Sequence, residues 1–92
     1  MNNIVINDIY DQLSKILKND QKYSNNVIAT LIVKSISTQP DINHYYATYP
    51  PLLDVAELGA ALEYASPEYQ ADTLRQIRYK MSELRQQLPD IS

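Results

Sequence analysis

Apolar residues recur along most of this chain at spacings of three and four, and five prolines (40, 50, 51, 67 and 89) divide the recurrences into blocks. In the first block Ile6, Ile9, Tyr10, Leu13, Ile16 and Leu17 follow Asn7, a good N-cap residue, with Asp8 and Asp11 placed to face the positive end of a helix dipole. Lys15 and Lys18 suit the last turn. The spacing predicts a helix over 7–18. The polar stretch "NDQKYSNN" reads as a turn, and Ser24 as the cap of a second helix over 25–37, with Val27, Ile28, Leu31, Ile32 and Ile36 on one face. The β-branched run from Val27 to Val33 offers a buried strand as the rival. Strict alternation is absent and Ile28, Ile32 and Ile36 are spaced by four, which favours the helix.

Residues 39–51 form the longest stretch without that rhythm. "PDINHY" has room for one helical turn, and Pro50-Pro51 impose extended or first-turn geometry. A third helix is expected over 53–65, with Leu52, Val55, Leu58, Leu62 and Ala65 in its main stripe. Ala56, Gly59, Ala60 and Ala61 are small enough to admit a neighbouring helix closely. A helix apolar on so many sides belongs at the centre of its bundle. Ser66-Pro67-Glu68 is a strong start signal for a fourth helix over 67–88, striped by Ala71, Leu74, Ile77, Met81, Leu84 and Leu88 and ended by Pro89. Residues 1–92 thus read as a single all-α domain, a small antiparallel four-helix bundle.

Composition narrows the function classes. There is no Cys and a single His, so neither a thiolate nucleophile nor a zinc site of ordinary spacing is available. No P-loop and no Gly-rich dinucleotide turn can be drawn, because Gly59 is the only glycine. No cofactor is expected. A net charge of −3 argues against nucleic acid as a partner. No apolar run is long enough to span a membrane, and the first residues lack a signal-peptide pattern, so a cytoplasmic protein is expected.

The candidate chemistry is thin. Asp41 and His44 are three apart, but a surface histidine satisfied by its neighbours explains them better than a dyad. Asp54 with Glu57, and Glu68 with Asp72, sit at helical spacing near helix starts, where acids stabilise the dipole without any catalytic role. Arg75, Arg78, Lys80 and Arg85 form a basic face on the fourth helix that could hold an acidic partner or a lipid surface, though nearby acids nearly balance it.

All eight aromatic residues are tyrosines, a type that packs on apolar neighbours and keeps a polar tip. His44, Tyr45, Tyr46 and Tyr49 are the best candidates for a partner-binding surface, since rigid aromatics with polar ends are typical of interface hot spots. The alternative is a strap across the gap between the second and third helices, with rings in the core and hydroxyls in water.

The segment "IVINDIYDQLSKILKNDQKYSNNVI" is similar in pattern to the start of the enterocin A type immunity proteins of the pediocin-like bacteriocins. The Ile-Tyr helix start and the Asp20-Gln21-Lys22-Tyr23-Ser24 turn carry the resemblance, and "SPEYQADTLRQI" resembles the opening of that family's last helix. The resemblance implies a cytosolic antiparallel four-helix bundle that protects its producer from a membrane-active peptide. The implied partner is a membrane receptor complex. It implies no site residue here, because only three residues follow Pro89. The overall expectation is a non-enzymatic helical protein that acts through protein–protein contact. A generic adaptor, a regulatory subunit or a chaperone-like homodimer is the alternative, the homodimer resting on the many apolar faces of the third helix.

Overall fold

In the computed structural model, which describes residues 3–89, five helices follow one another: α1 (Asn3–Lys18), α2 (Asn25–Ser37), α3 (Ile42–Thr48), α4 (Pro50–Tyr64) and α5 (Pro67–Gln87). The described residues contain no strand, so the β-branched run of α2 is helical. The fold is all-α as expected, but five helices stand where four were expected. The extra one, α3, occupies the stretch that seemed to hold only one turn.

Helix starts differ from expectation for local reasons. Asn7 does not cap α1; it lies inside it, because Ile6 is fully buried and belongs to the same stripe as Ile9, Leu13 and Leu17. Asp8 and Asp11 consequently fall outside the first turn. Ser24 does cap α2, its side chain accepting a hydrogen bond from the Val27 N–H at 3.3 Å. The helix expected over 53–65 is α4 and begins at Pro50, with prolines in the first turn, where a missing N–H costs nothing. Ser66 precedes α5 in extended geometry but makes no side-chain cap bond. Asp41 enters α3 at φ 57°, a left-handed conformation that a short polar side chain tolerates better than most.

The long helices form a closed circuit of neighbours: α1 packs on α2 and α5, and α4 packs on α2 and α5. The short α3 lies against α4. The core they share includes Ile6, Ile9, Leu13, Ile28, Ile32, Ile36, Leu52, Val55, Leu62, Ile77 and Leu84. Each such Leu or Ile contributes roughly 1.5–3 kcal/mol by leaving water. The Cα radius of gyration, 12.7 Å, is that of a well-packed chain of this length.

Polar ties join the helices at their ends. Gln70 on α5 accepts from the Asn25 amide at 2.8 Å and donates to the Ala65 carbonyl at 3.2 Å, so one side chain links the start of α2 to the end of α4. Arg78 reaches the α1–α2 turn, donating to the Leu17 carbonyl at 3.4 Å and to Asp20 at 2.8 Å.

Gly59 sets the distance between α4 and α2. A Cβ built there would lie 2.9 Å from Cγ2 of Ile32 and 3.3 Å from Cγ2 of Val33. Both neighbours are β-branched and stiff at χ1 in a helix. Gly59→Ala gains about 1 kcal/mol of helix propensity. It loses more to overpacking, which typically costs about 1–3 kcal/mol. We expect a net loss of about 1 kcal/mol, or a fall in Tm of roughly 4–8 °C for a domain of this size. Thermal denaturation of the variant checks it, and an unchanged or higher Tm would show that the two helices separate without cost.

Candidate functional site

The four residues singled out between the second and third long helices do not form one exposed surface. Ile42, Tyr45, Tyr46 and Tyr49 fall at i, i+3, i+4 and i+7, and α3 turns that stripe inward. Tyr45 and Tyr49 are each only 7% exposed and belong to the core. Tyr46 is half-buried against the core and His44 is exposed. The His44 ring meets Tyr45 edge-on at 6.2 Å between centroids. The backbone N–H of His44 donates to the Asp41 carbonyl at 2.9 Å, closing the first turn of α3. The strap alternative describes this segment, with Tyr45 and Tyr49 filling the space beside α4.

Exposed tyrosines lie elsewhere, Tyr23 in the α1–α2 turn among them. Tyr64, Tyr69 and Tyr79 are 85%, 63% and 64% exposed, and all three lie on α4 or α5. Tyr69 and Tyr79 fall off the apolar stripe of α5, which runs through Leu74, Ile77, Met81 and Leu84, and that departure is the signal in the sequence that sets them apart. Between the two helices runs an open groove of about 350 Å³ lined by Asp54, Glu57, Leu58, Ala61, Gln76 and Lys80. A second depression adjoins it, sharing Gln76 and Lys80 and adding Arg75 and Tyr79. Here the small residues of α4 serve two purposes: Gly59 is buried toward α2, while Ala60 and Ala61 face outward.

Charges along the groove are partly paired. Lys80 Nζ lies 3.3 Å from Glu83 and 3.4 Å from Asp54, which ties α5 to α4. Hydrogen bonds to Glu83 and then to Asp54 hold its ammonium pKa above the ordinary 10.5. The ammonium also sits 5.9 Å from the centre of the Tyr79 ring. Arg75 pairs with Asp72 at 3.0 Å, and Asp72 also accepts from Gln76 at 2.8 Å. The basic face of α5 is therefore a solvated, paired surface at Arg75, Arg78 and Lys80. The expected carboxylate pairs separate in the same way: Asp54 and Glu57 line the groove together, whereas Asp72 is occupied by Arg75 and Gln76. Tyr46 of α3 has its phenol raised above 10.0, first by burial and then by the negative charge of Glu57.

A further open groove of about 340 Å³ lies between α1 and α2, lined by Gln12, Lys15, Ile16, Asn19, Tyr23, Leu31 and Ser35. Among the described residues no cluster of three His, Cys, Asp or Glu side chains could hold a metal ion, and no helix is long and apolar enough to cross a membrane. No family model, no curated protein and no solved structure matches the chain.

The two classes of tyrosine separate experimentally. Tyr45→Ala and Tyr49→Ala each remove a core ring and should cost about 3 kcal/mol in urea unfolding. Tyr79→Ala should stay within about 0.5 kcal/mol, as surface changes do. Losses below about 1 kcal/mol at 45 and 49 would return those rings to the surface.

The raised groups give a pH prediction. Folding raises the pKa of both Lys80 and Tyr46. A group raised by folding contributes its stabilisation in full below its ordinary pKa and loses it as pH climbs through the raised value. Both contributions are thus intact at neutral pH and are lost above pH 10.0 for Tyr46 and 10.5 for Lys80. In Tm measured from neutral to strongly alkaline pH, the double variant Tyr46→Phe/Lys80→Met should decline less steeply than the parent. Parallel curves would dissociate these two groups from the alkaline transition.

Proposed function

We propose that this chain is a non-enzymatic helical protein that acts by protein–protein contact, and that the α4–α5 face is the contact surface. The observation that carries the reading is the exposure of Tyr64, Tyr69 and Tyr79 on the two helices, α4 and α5, that also enclose a groove lined by Leu58 and Ala61, with Tyr79 in the adjoining depression. Tyrosine offers a large contact area with few rotatable bonds, so ordering it against a partner costs little entropy. Three such rings left in water do nothing for the core, whereas rings of this type are what alanine scans find at the centres of interfaces.

The sharpest form of this reading is the immunity role implied by the resemblance of residues 4–28 to the enterocin A type immunity proteins. In it the chain is an antiparallel four-helix bundle, α1, α2, α4 and α5, with α3 as an insert. It works in the cytoplasm and protects its producer by engaging a membrane receptor complex. An adaptor or regulatory subunit would use the same face toward a different partner. A homodimer has less behind it, because Leu52, Val55 and Leu62, the fully buried side chains of α4, are already covered within the chain.

Expression in a strain sensitive to pediocin-like peptides tests the immunity form. We expect protection against at least one peptide of a panel, lost in Tyr69→Ala/Tyr79→Ala at an unchanged Tm. Failure to protect against any of them removes the immunity role. The contact role is tested separately with a photo-crosslinking amino acid at position 79 in cells of the native host. It predicts a discrete adduct absent when the same group stands at position 30, an exposed site on α2. Equal labelling from both positions would defeat it.

A further inference from the structure

Charge along this chain is segregated. From Ser35 to Leu74 there is no Lys or Arg, while Asp41, Asp54, Glu57, Glu63, Glu68 and Asp72 all lie in that span. The basic residues are confined to Lys15, Lys18, Lys22 and Lys34 before it and Arg75, Arg78, Lys80 and Arg85 after it. On folding, Lys80 is the one basic residue lining the main α4–α5 groove, and Asp54 and Glu83 already hold it. Glu57 is left in the groove without an ion pair among the described residues. The groove's lining carries two carboxylates, Asp54 and Glu57, against one ammonium, a net of one negative charge beside Leu58 and Ala61, and Glu83 stands next to that ammonium at 3.3 Å.

We propose that the occupant of the α4–α5 groove is a basic amphipathic helical segment of a protein partner, its apolar side chains on Leu58 and Ala61 and a Lys or Arg paired with Glu57. This rests on the contact role proposed above and names the chemistry of the partner. The groove suits a helix because its walls are themselves two helices, and an amphipathic helix lays its apolar face into such a channel while its charged flanks meet the rims. The sign of the charge decides between occupants. An acidic segment would meet Glu57 and Asp54, and anionic lipid would be repelled by the same carboxylates. A second copy bringing its α5 basic face would offer Arg75, Arg78 and Lys80 already paired within its own chain and Arg85 lying over the Tyr10 ring. The Tyr79 ring, beside Lys80 on the groove's edge, is positioned to cover the segment from one side.

The test uses the full chain, isotopically labelled, and two synthetic amphipathic peptides identical except that one carries Lys and the other Glu on the polar face. Amide shifts are followed by NMR during titration. We expect the Lys peptide to move resonances of Glu57, Leu58, Ala61, Gln76 and Tyr79, and its affinity to fall as salt is added. Glu57→Gln should weaken binding by about two- to fivefold, the range of one exposed ion pair. Glu57→Lys should weaken it roughly tenfold or more, as like charges meet. Both variants change an exposed side chain and keep the Tm of the parent. Equal binding of the Glu peptide, shifts centred on another face, no binding of either peptide, or indifference to Glu57→Lys would each overturn the proposal. Concentration-dependent shifts in the groove with no peptide present would assign it to a second copy instead and also overturn it. A failure here leaves the crosslink at position 79 to stand or fall alone, because a neutral partner would still engage the tyrosines.

Discussion

The structure depends on how closely α4 can approach α2. At Gly59 the two backbones come near enough that a single added methyl would meet Ile32 and Val33. That approach seats α4 among three neighbours, α2, α3 and α5. A helix this apolar cannot be left on a surface, because its Leu52, Val55 and Leu62 must all leave water. With α2 held at a greater distance, the gap beside Ile32 would become a cavity that no side chain on α4 could fill, and cavities in a core are costly. One residue without a side chain thus permits the packing of three fully buried ones.

The polar ties around this core have a different character. The Arg78–Asp20 and Lys80–Asp54 pairs link helices, yet their side chains remain roughly a third to two-fifths exposed. Pairs in that setting add little to stability. Their effect is to fix where charge is presented. Lys80 is drawn toward Asp54 and Glu83, so its ammonium neutralises part of the groove wall instead of projecting into solvent. Gln70 does the same for backbone groups, giving the Ala65 carbonyl at the end of α4 a donor where helix geometry leaves it without one. The core decides that the helices pack, and the ties decide which surface the packed helices show.

How much of this was legible in the sequence follows from which signals are local. The starts of α2 and α5 were readable because Ser24 caps the one and Pro67 occupies the first turn of the other, and the end of α5 because Pro89 follows it. The start of α1 was misplaced because a good cap residue, Asn7, sits inside a stripe that continues to Ile6; burial outweighed the local preference. The short α3 escaped because seven residues are too few to establish a rhythm against the prolines on both sides. Yet Ile42, Tyr45, Tyr46 and Tyr49 already had the i, i+3, i+4, i+7 spacing of a buried stripe. Reading tyrosine as a boundary residue hid it. The site was less legible than the fold. Nothing in the identity of a tyrosine says whether its helix face is covered, and the groove exists only once α4 and α5 lie side by side.

That difference has a consequence for where function can reside. A ring such as Tyr45 is fixed by everything packed around it, so any change there is felt as stability before it is felt as recognition. Tyr69, Tyr79 and Glu57 are under no such obligation, since all three are exposed. Changes at those positions leave the packing of the core as it is. The α4–α5 face combines an apolar floor built from the same helices that make the core with rim residues the core does not use. Leu58 stands at the junction: half-buried, it is held from beneath by the core cluster and presented from above to the groove. A surface supported in this way is formed by the packing of the core itself, and a surface formed in advance loses less entropy on any contact it makes.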